Sequence, residues 1–441
     1  MISKKFSMVV IVFVLLLMIF VVPANANFQA NQSMSENRDG PISDSVIISE
    51  TGLNSVDPAV AYNTQRDEYL VVWYNDRSGN DDIQGQRIDA NGKLLGPKFF
   101  ISAGPGHDRR YPDVAYDSKN DQYLVVWEDY YHDTMVPGYG IRGKLVSGSG
   151  IVADPSSSAD IIICANGGNL YTASTPAVAF AYTSSTFLVV WSETFHPSLN
   201  KDILGQLLDK NGVLQGGQIM VSDDTGGGDY RVAPDIAYNR HANRFLVVFQ
   251  LRHSGYNIWG VEGQQVEGNG ALWKGNFLIE FCSADATLPQ VAALPTTPNN
   301  EKFLVTYELQ YEPTQKNILY IMIEEDGTLS NKAYIAGSTV DETNPAVAAS
   351  ETFKSYLVTW TQPHQVESAT WNSIFGKKLN DEGTKMSQSK YIWGIKSMKS
   401  AVAAGKNGHY LVVYDDDWLG NSYISGTMWI PYMNFLPVIL H

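Results

Sequence analysis

The sequence predicts an all-β protein: a seven-bladed β-propeller of four-stranded antiparallel blades, its ring closed by an N-terminal strand pairing with the last blade. Two observations carry this. First, a phrase recurs down the chain: Pro58-Ala59-Val60-Ala61-Tyr62, then Tyr69-Leu70-Val71-Val72-Trp73, then Ile83-Gln84-Gly85-Gln86, then Asn91-Gly92. Its anchors fall 54 residues apart at Pro58 and Pro112 and 64 apart at Pro112 and Pro176. A repeat of that length with about four short strands per unit belongs to radial β architectures, in which stacked units share one core. Second, the last unit lacks a fourth strand, while Val46-Ile47-Ile48-Ser49 precedes the first unit and resembles fourth strands such as Phe99-Phe100-Ile101-Ser102.

In chain order, residues 1–26 read as a signal peptide. Lys4 and Lys5 give the positive end, Met8 to Val22 the apolar run, and Ala24-Asn25-Ala26 the small-residue cleavage site. The run is short for a membrane span, which needs ~20 residues; an uncleaved anchor is the alternative. Residues 27–44 are polar and read as a flexible lead-in, residues 45–430 as the propeller, and residues 431–441 as a C-terminal tail. The tail could itself supply the missing strand.

Within each unit, the first strand follows an anchor: Pro58, Pro112, Pro176, Pro234, Pro289 and Pro345, with Ser400 in the seventh place. Proline suits the first residue of a strand, where no ladder donor is needed. A small Ala such as Ala61 or Ala115 lets the strands crowd around one axis. The second strands, such as Tyr123–Trp127 and Phe245–Phe249, are apolar without interruption and read as buried on both faces. Their closing aromatic recurs in every unit, which marks it as core rather than as a ligand platform. Third strands carry a Gly at a fixed offset (Gly85, Gly143, Gly205, Gly263, Gly376, Gly426). Asn91-Gly92 and its counterparts read as two-residue hairpin turns with positive φ at both central positions.

These motifs resemble the secreted seven-bladed β-propeller repeats of bacterial exported proteins, whose units read P-x-V-A-Y, Y-L-V-V-W and I-x-G-Q-R-x-x-x-x-G. The resemblance covers residues 46–430. It implies the fold and export, and assigns no catalytic residue, since propellers host unrelated functions.

The formal charge of −15 becomes −17 once Lys4 and Lys5 are removed; such a surface repels a duplex or an anionic membrane unless a local basic patch exists, and with no Lys/Arg run longer than two, nucleic acid is not an expected partner. Cys164 and Cys282 fall in units two and four, too far apart for the ~7 Å limit of a disulfide, and are expected as unpaired, largely buried thiols.

Function is expected in the long, dissimilar loops after the second strands, since variable loops on a rigid frame carry binding and catalysis. The candidate ligand contacts there are His132, Asp133, His196, His253, Asp417 and Trp418. Asp113 and Asp235 stand where other first strands carry Ala and are expected to line the axial channel. Acidic loops at Asp76–Asp82 and Asp415–Asp417 offer oxygen ligands for Ca²⁺, though acidic loops are more often simply hydrated; no other cofactor is expected. The sequence holds no His-Glu-x-x-His and no Gly-x-Ser-x-Gly. The expected role is noncatalytic recognition of an extracellular glycan, peptide or protein by a secreted or surface-held monomer, with no membrane insertion after cleavage. The alternative is a carbohydrate-active enzyme, hydrolase or lyase, with carboxylates or His at the channel mouth.

Overall fold

A computed structural model describes residues 40–41, 45–50, 53–77, 80–132, 138–165, 172–195, 200–222, 229–253, 255–295, 301–312, 315–366, 369–394, 396–418 and 420–430. Residues 1–26, most of the lead-in and the tail lie outside them. The described chain is all-β apart from two single-turn 3-10 segments, Ser157–Ala159 and Lys406–Gly408. Small antiparallel sheets form a propeller ring. Unit one shows the plan: Ser55–Asn63, Glu68–Asn75, Asp82–Asp89 and Leu94–Ser102 pair in sequence order.

There are six hydrogen-bonded sheets where the sequence predicts seven separate ones. The difference lies at one place. A single parallel bridge, Lys201 opposite Tyr230, joins the strands of units three and four into one eight-stranded sheet. In the last sheet, Ser400–Ala404, Tyr410–Trp418 and Asn421–Ile430 are joined by N-terminal residues: Val46 lies opposite Gly426 and Ile47 opposite Ser425. Gly40 and Pro41 pair with Ile430 and Trp429, so part of the expected lead-in belongs to a sheet.

Hydrophobic clusters sit between units rather than within them. One joins Leu70, Val72 and Ile101 of unit one to Tyr123, Val125 and Trp127 of unit two. Another joins Ile48 to Tyr69 and Trp73 of unit one and Leu411, Val413 and Met428 of unit seven. Second strands are buried on both faces, and Trp73, Trp127, Trp191 and Trp360 are fully enclosed. Burying side chains of this size contributes roughly 1.5–3 kcal/mol each, which is why the repeated aromatic serves the core.

Three local expectations are corrected. Each anchor proline sits not at a strand start but at a bulge inside the strand; register slips between Val56 and Ala59 and between Arg110 and Asp113. A bulge also lacks a ladder partner, so it too tolerates proline. The preceding residue is left-handed in six units, with φ from 49° at Leu288 to 52° at Tyr111. The Asn-Gly hairpins have positive φ only at Gly, as at Gly92 (87°). Asp89 Oδ1 accepts the Asn91 and Lys93 amides and holds a wider loop. The alanines Ala61 and Ala115 pack between units rather than on the axis. Neither Cys164 nor Cys282 is in a disulfide; the first is buried, with its Sγ donating to Glu193 Oε2 at 3.7 Å, and the second is half-buried.

Candidate functional site at the ring axis

Ser55 lies opposite Asn75, and His107 opposite Tyr131, so first strands begin where second strands end. One face of the ring therefore carries both the links between units and the second-to-third connections. The first strands of all the sequence units wall one axial cavity of about 380 Å³. Its wall is made by the proline bulges and the residues just after them. Alanine follows the proline at Ala59, Ala177 and Ala346 and follows Ser400 at Ala401; Asp113, Asp235 and Gln290 interrupt the series.

Asp113 and Asp235 are held alike. Asp113 Oδ2 accepts the Val178 amide of the next unit at 2.7 Å, and Asp235 Oδ2 accepts the Val291 amide at 2.7 Å. Burial pushes the Asp113 carboxyl up to about 6, against the Val178 and Val114 amides. Burial pushes Asp235 up to about 7; the Val291 amide opposes this and the Asp113 charge adds to it. Both carboxyls therefore hold their protons closer to neutral pH than an ordinary aspartate does.

Lys399 stands where the other units have the residue before proline, and its Nζ lies 3.1 Å from Asp57 Oδ1. Its side chain is half exposed; the partial desolvation works against its charge, but Asp57, Asp415 and Asp113 outweigh it and hold the ammonium above its ordinary range. Asp415 accepts the Met398 and Lys399 amides, both at 2.9 Å, and burial lifts it to about 6. Tyr111 reaches from the cavity wall to the exposed rim, 6.0 Å from the Tyr74 ring.

Side chains just past the second-strand aromatics brace the bulges of the following unit. Glu128 Oε2 accepts the Thr175 amide at 3.3 Å, Ser192 Oγ the Ala233 amide at 3.1 Å, and Glu308 Oε1 the Asn344 amide at 2.8 Å. Burial raises the Glu128 carboxyl, against the Thr175 amide. A left-handed non-glycine residue costs of order 1–3 kcal/mol. These contacts hold the backbone there.

The other sequence candidates are not gathered at one place. His132 Nε2 lies 3.2 Å from Asp108 Oδ2, and its ring meets Tyr130 edge-on at 4.8 Å. His253 lies 3.9 Å from Asp229 and 5.5 Å from the Tyr256 ring. Asp417 pairs with Lys396 at 3.6 Å, and Trp418 lies opposite Asn421 at a hairpin end. They belong to units two, four and seven, and among the described residues no hydrogen bond or ion pair links one to another. Asp133 and His196 lie outside the described residues. Among the described residues no group of three His, Cys, Asp or Glu is arranged for a metal. The expected calcium ligands are occupied by protein donors: Asp81 by Arg110 and the Arg77 amide, Asp415 by two amides.

Sequence reasoning missed Lys399, Tyr111 and two buried arginines. Arg231 holds Asp202 at 3.2 Å and Glu262 at 3.1 Å; Arg109 is fully enclosed and donates to the Asp81 carbonyl at 3.0 Å. A signal existed. Arg109-x-x-Pro112-Asp113 and Arg231-x-x-Pro234-Asp235 share one spacing, and Lys399-Ser400 breaks the proline series.

No family model and no curated protein matches the chain. Among solved structures, it is similar to a polysaccharide lyase, Uly1, at a TM-score of 0.50 and 9% identity over 85% of this chain and 90% of the lyase. It is also similar to a leech intramolecular trans-sialidase (TM-score 0.46, 10% identity, 88% of this chain, 70% of the other). A Hadza microbial sialidase matches at 0.43 and 11% identity over 85% of this chain, and the chain spans 65% of that protein's length. At such identities the likeness shows the fold alone.

Proposed function

We propose that this protein is a carbohydrate-active propeller working outside the cell, with a saccharide unit seated in the axial cavity and Asp113 and Asp235 as its acid and base. One observation carries the reading: two carboxyl groups wall one cavity of sugar size, and burial lifts both toward neutrality. A protonated acid beside an ionised carboxylate is the pairing that glycoside cleavage uses. The names of the similar structures agree with a glycan as ligand. Counting seven sectors is part of the reading. The repeated second strands support it, as do the two four-strand runs inside the eight-stranded sheet and the Ile48 cluster that joins units one and seven.

The test is a panel of neutral and acidic polysaccharides, scored for new reducing ends and for unsaturated products. Turnover is expected in the wild type and lost in Asp113→Asn and in Asp235→Asn, with thermal melts showing both variants folded. Turnover unchanged in both would end the assignment. Binding without product would favour noncatalytic recognition. The ring contacts of Tyr130 with His132 and with Tyr139 (4.6 Å) on the same face favour that second reading.

A further inference from the structure

A second cavity, of about 640 Å³, lies away from the axis, in the outer groove between units five and six. The repeat shows what normally fills this place. In unit two, Gly143 lies opposite Ile161; in unit six, Gly376 lies opposite Lys390. By that register Lys377 corresponds to Lys144, and Ser389 to Asp160. Gln86, Gln206 and Gln264 occupy the same third-strand position in units one, three and four, and each donates to nearby carbonyls.

The unit-two groove is self-contained. Lys144 Nζ lies 2.7 Å from Asp160 Oδ1 and donates to the Asp154 and Ser156 carbonyls at 2.8 Å. Asp160 is completely enclosed and also receives Ser102 Oγ at 2.9 Å. In unit six the carboxylate at that position is gone, and Glu342 is the acid left on the cavity wall. Ser389 is exposed, and Lys377, though buried, donates to the Ile335 carbonyl. Lys385, exposed, adds a second ammonium to the cavity wall. Burial and Lys385 lower the Lys377 proton affinity, against Glu342, as befits a cation short of a partner.

Two residues of the same cavity wall carry enclosed acceptors that are unmet. Glu342 Oε2 and Asn317 Oδ1 are buried, and among the described residues neither has a hydrogen-bond partner. An unmet buried acceptor costs of order 1–3 kcal/mol, so a donor belongs there. Tyr334, half open to solvent, gives the cavity an aromatic edge. The slot thus asks for one carboxylate, hydroxyl donors beside it and an apolar ring face.

We infer that the groove between units five and six binds a uronate residue of an acidic polysaccharide, its carboxylate taking the place that Asp160 fills in unit two. Sugar hydroxyls donate to Glu342 and Asn317, and the ring lies against Tyr334. This goes beyond the axial site, and rests on the proposed function only in taking a glycan as ligand.

The test is calorimetric titration of the full chain with a galacturonate tetramer and with a neutral cellotetraose. The key variant is Ser389→Asp, which restores the unit-two carboxylate, with Lys377→Met beside it. The acidic tetramer is expected to bind the wild type, and to bind Ser389→Asp and Lys377→Met at least tenfold more weakly. Ser389→Asp is also expected to melt no lower than the wild type, since it refills the slot. Asp113→Asn, which alters only the axial cavity, should leave the outer-groove term in place, so the two sites fail separately. No binding of the acidic tetramer, equal binding by Ser389→Asp, or equal dependence of the neutral tetramer on Ser389 would each overturn the inference.

Discussion

The axial carboxyls make stability depend on pH in a direction opposite to that of an ordinary surface acid. The perturbation is the double change Asp113→Asn, Asp235→Asn, which keeps size and acceptor while removing titration. In the folded protein the two groups sit at about 6 and about 7, above an ordinary value of 3.8. The folded state therefore keeps protons that the unfolded chain has released. Their stabilising contribution is present below the unfolded value and is lost as pH rises through about 6 to 7. At 1.36 kcal/mol per pK unit, about two units at Asp113 and three at Asp235 bound the loss at ~7 kcal/mol; both residues are only half-buried, and screening by water in the cavity reduces this to ~2–4 kcal/mol. The assay is urea unfolding at pH 4.5 and pH 8 for wild type and double variant, with other titrations cancelling in the difference. The wild type is expected to lose ~2–4 kcal/mol more than the variant over that interval. Equal losses, or a wild type that gains stability relative to the variant, would refute the argument.

Two further outcomes concern the packing between units. At Gly376 an added Cβ would lie 2.9 Å from Trp429 Cζ3 and 3.0 Å from Ile392 Cδ1, so Gly376→Ala should lose ~1–3 kcal/mol in denaturant unfolding. Gly275, with nothing within 4 Å, should tolerate Ala within ~0.5 kcal/mol. Arg231→Met strands the buried Asp202 and Glu262 and should cost ~3–5 kcal/mol. The exposed Arg66–Asp121 pair, at 2.6 Å, serves as the comparison: Arg66→Met should cost under ~1 kcal/mol in the same unfolding assay.

Much of the frame was legible because it repeats. Tyr69–Trp73 and its counterparts are apolar without a break, and that can be satisfied only between two neighbours. Asp113 and Asp235 were legible for the converse reason: they depart from a repeated alanine, so the register placed them on the axis. The proline bulges were not, because proline is tolerated equally at a strand start and at a bulge, and only the pairing register separates the two. Nor was the scatter of His132, His253 and Asp417 around the rim, since the two histidines lie just past strand ends and Asp417 near the tip of a hairpin, and nothing in the letters fixes their reach. Lys399 was overlooked as a mere gap in the proline series; its meaning appears once Asp57 is found 3.1 Å away.

The bracing of three bulges by the preceding unit has an outcome for how such a ring can change. Glu128 steadies Thr175, Ser192 steadies Ala233, and Glu308 steadies Asn344. The shape of the axial wall in one sector is thus encoded in the sector before it. Excising or duplicating a single module would separate a strained turn from its keeper. Modules should therefore be inherited in adjoining pairs, and a graft that carries the keeper along should fold where a lone module does not.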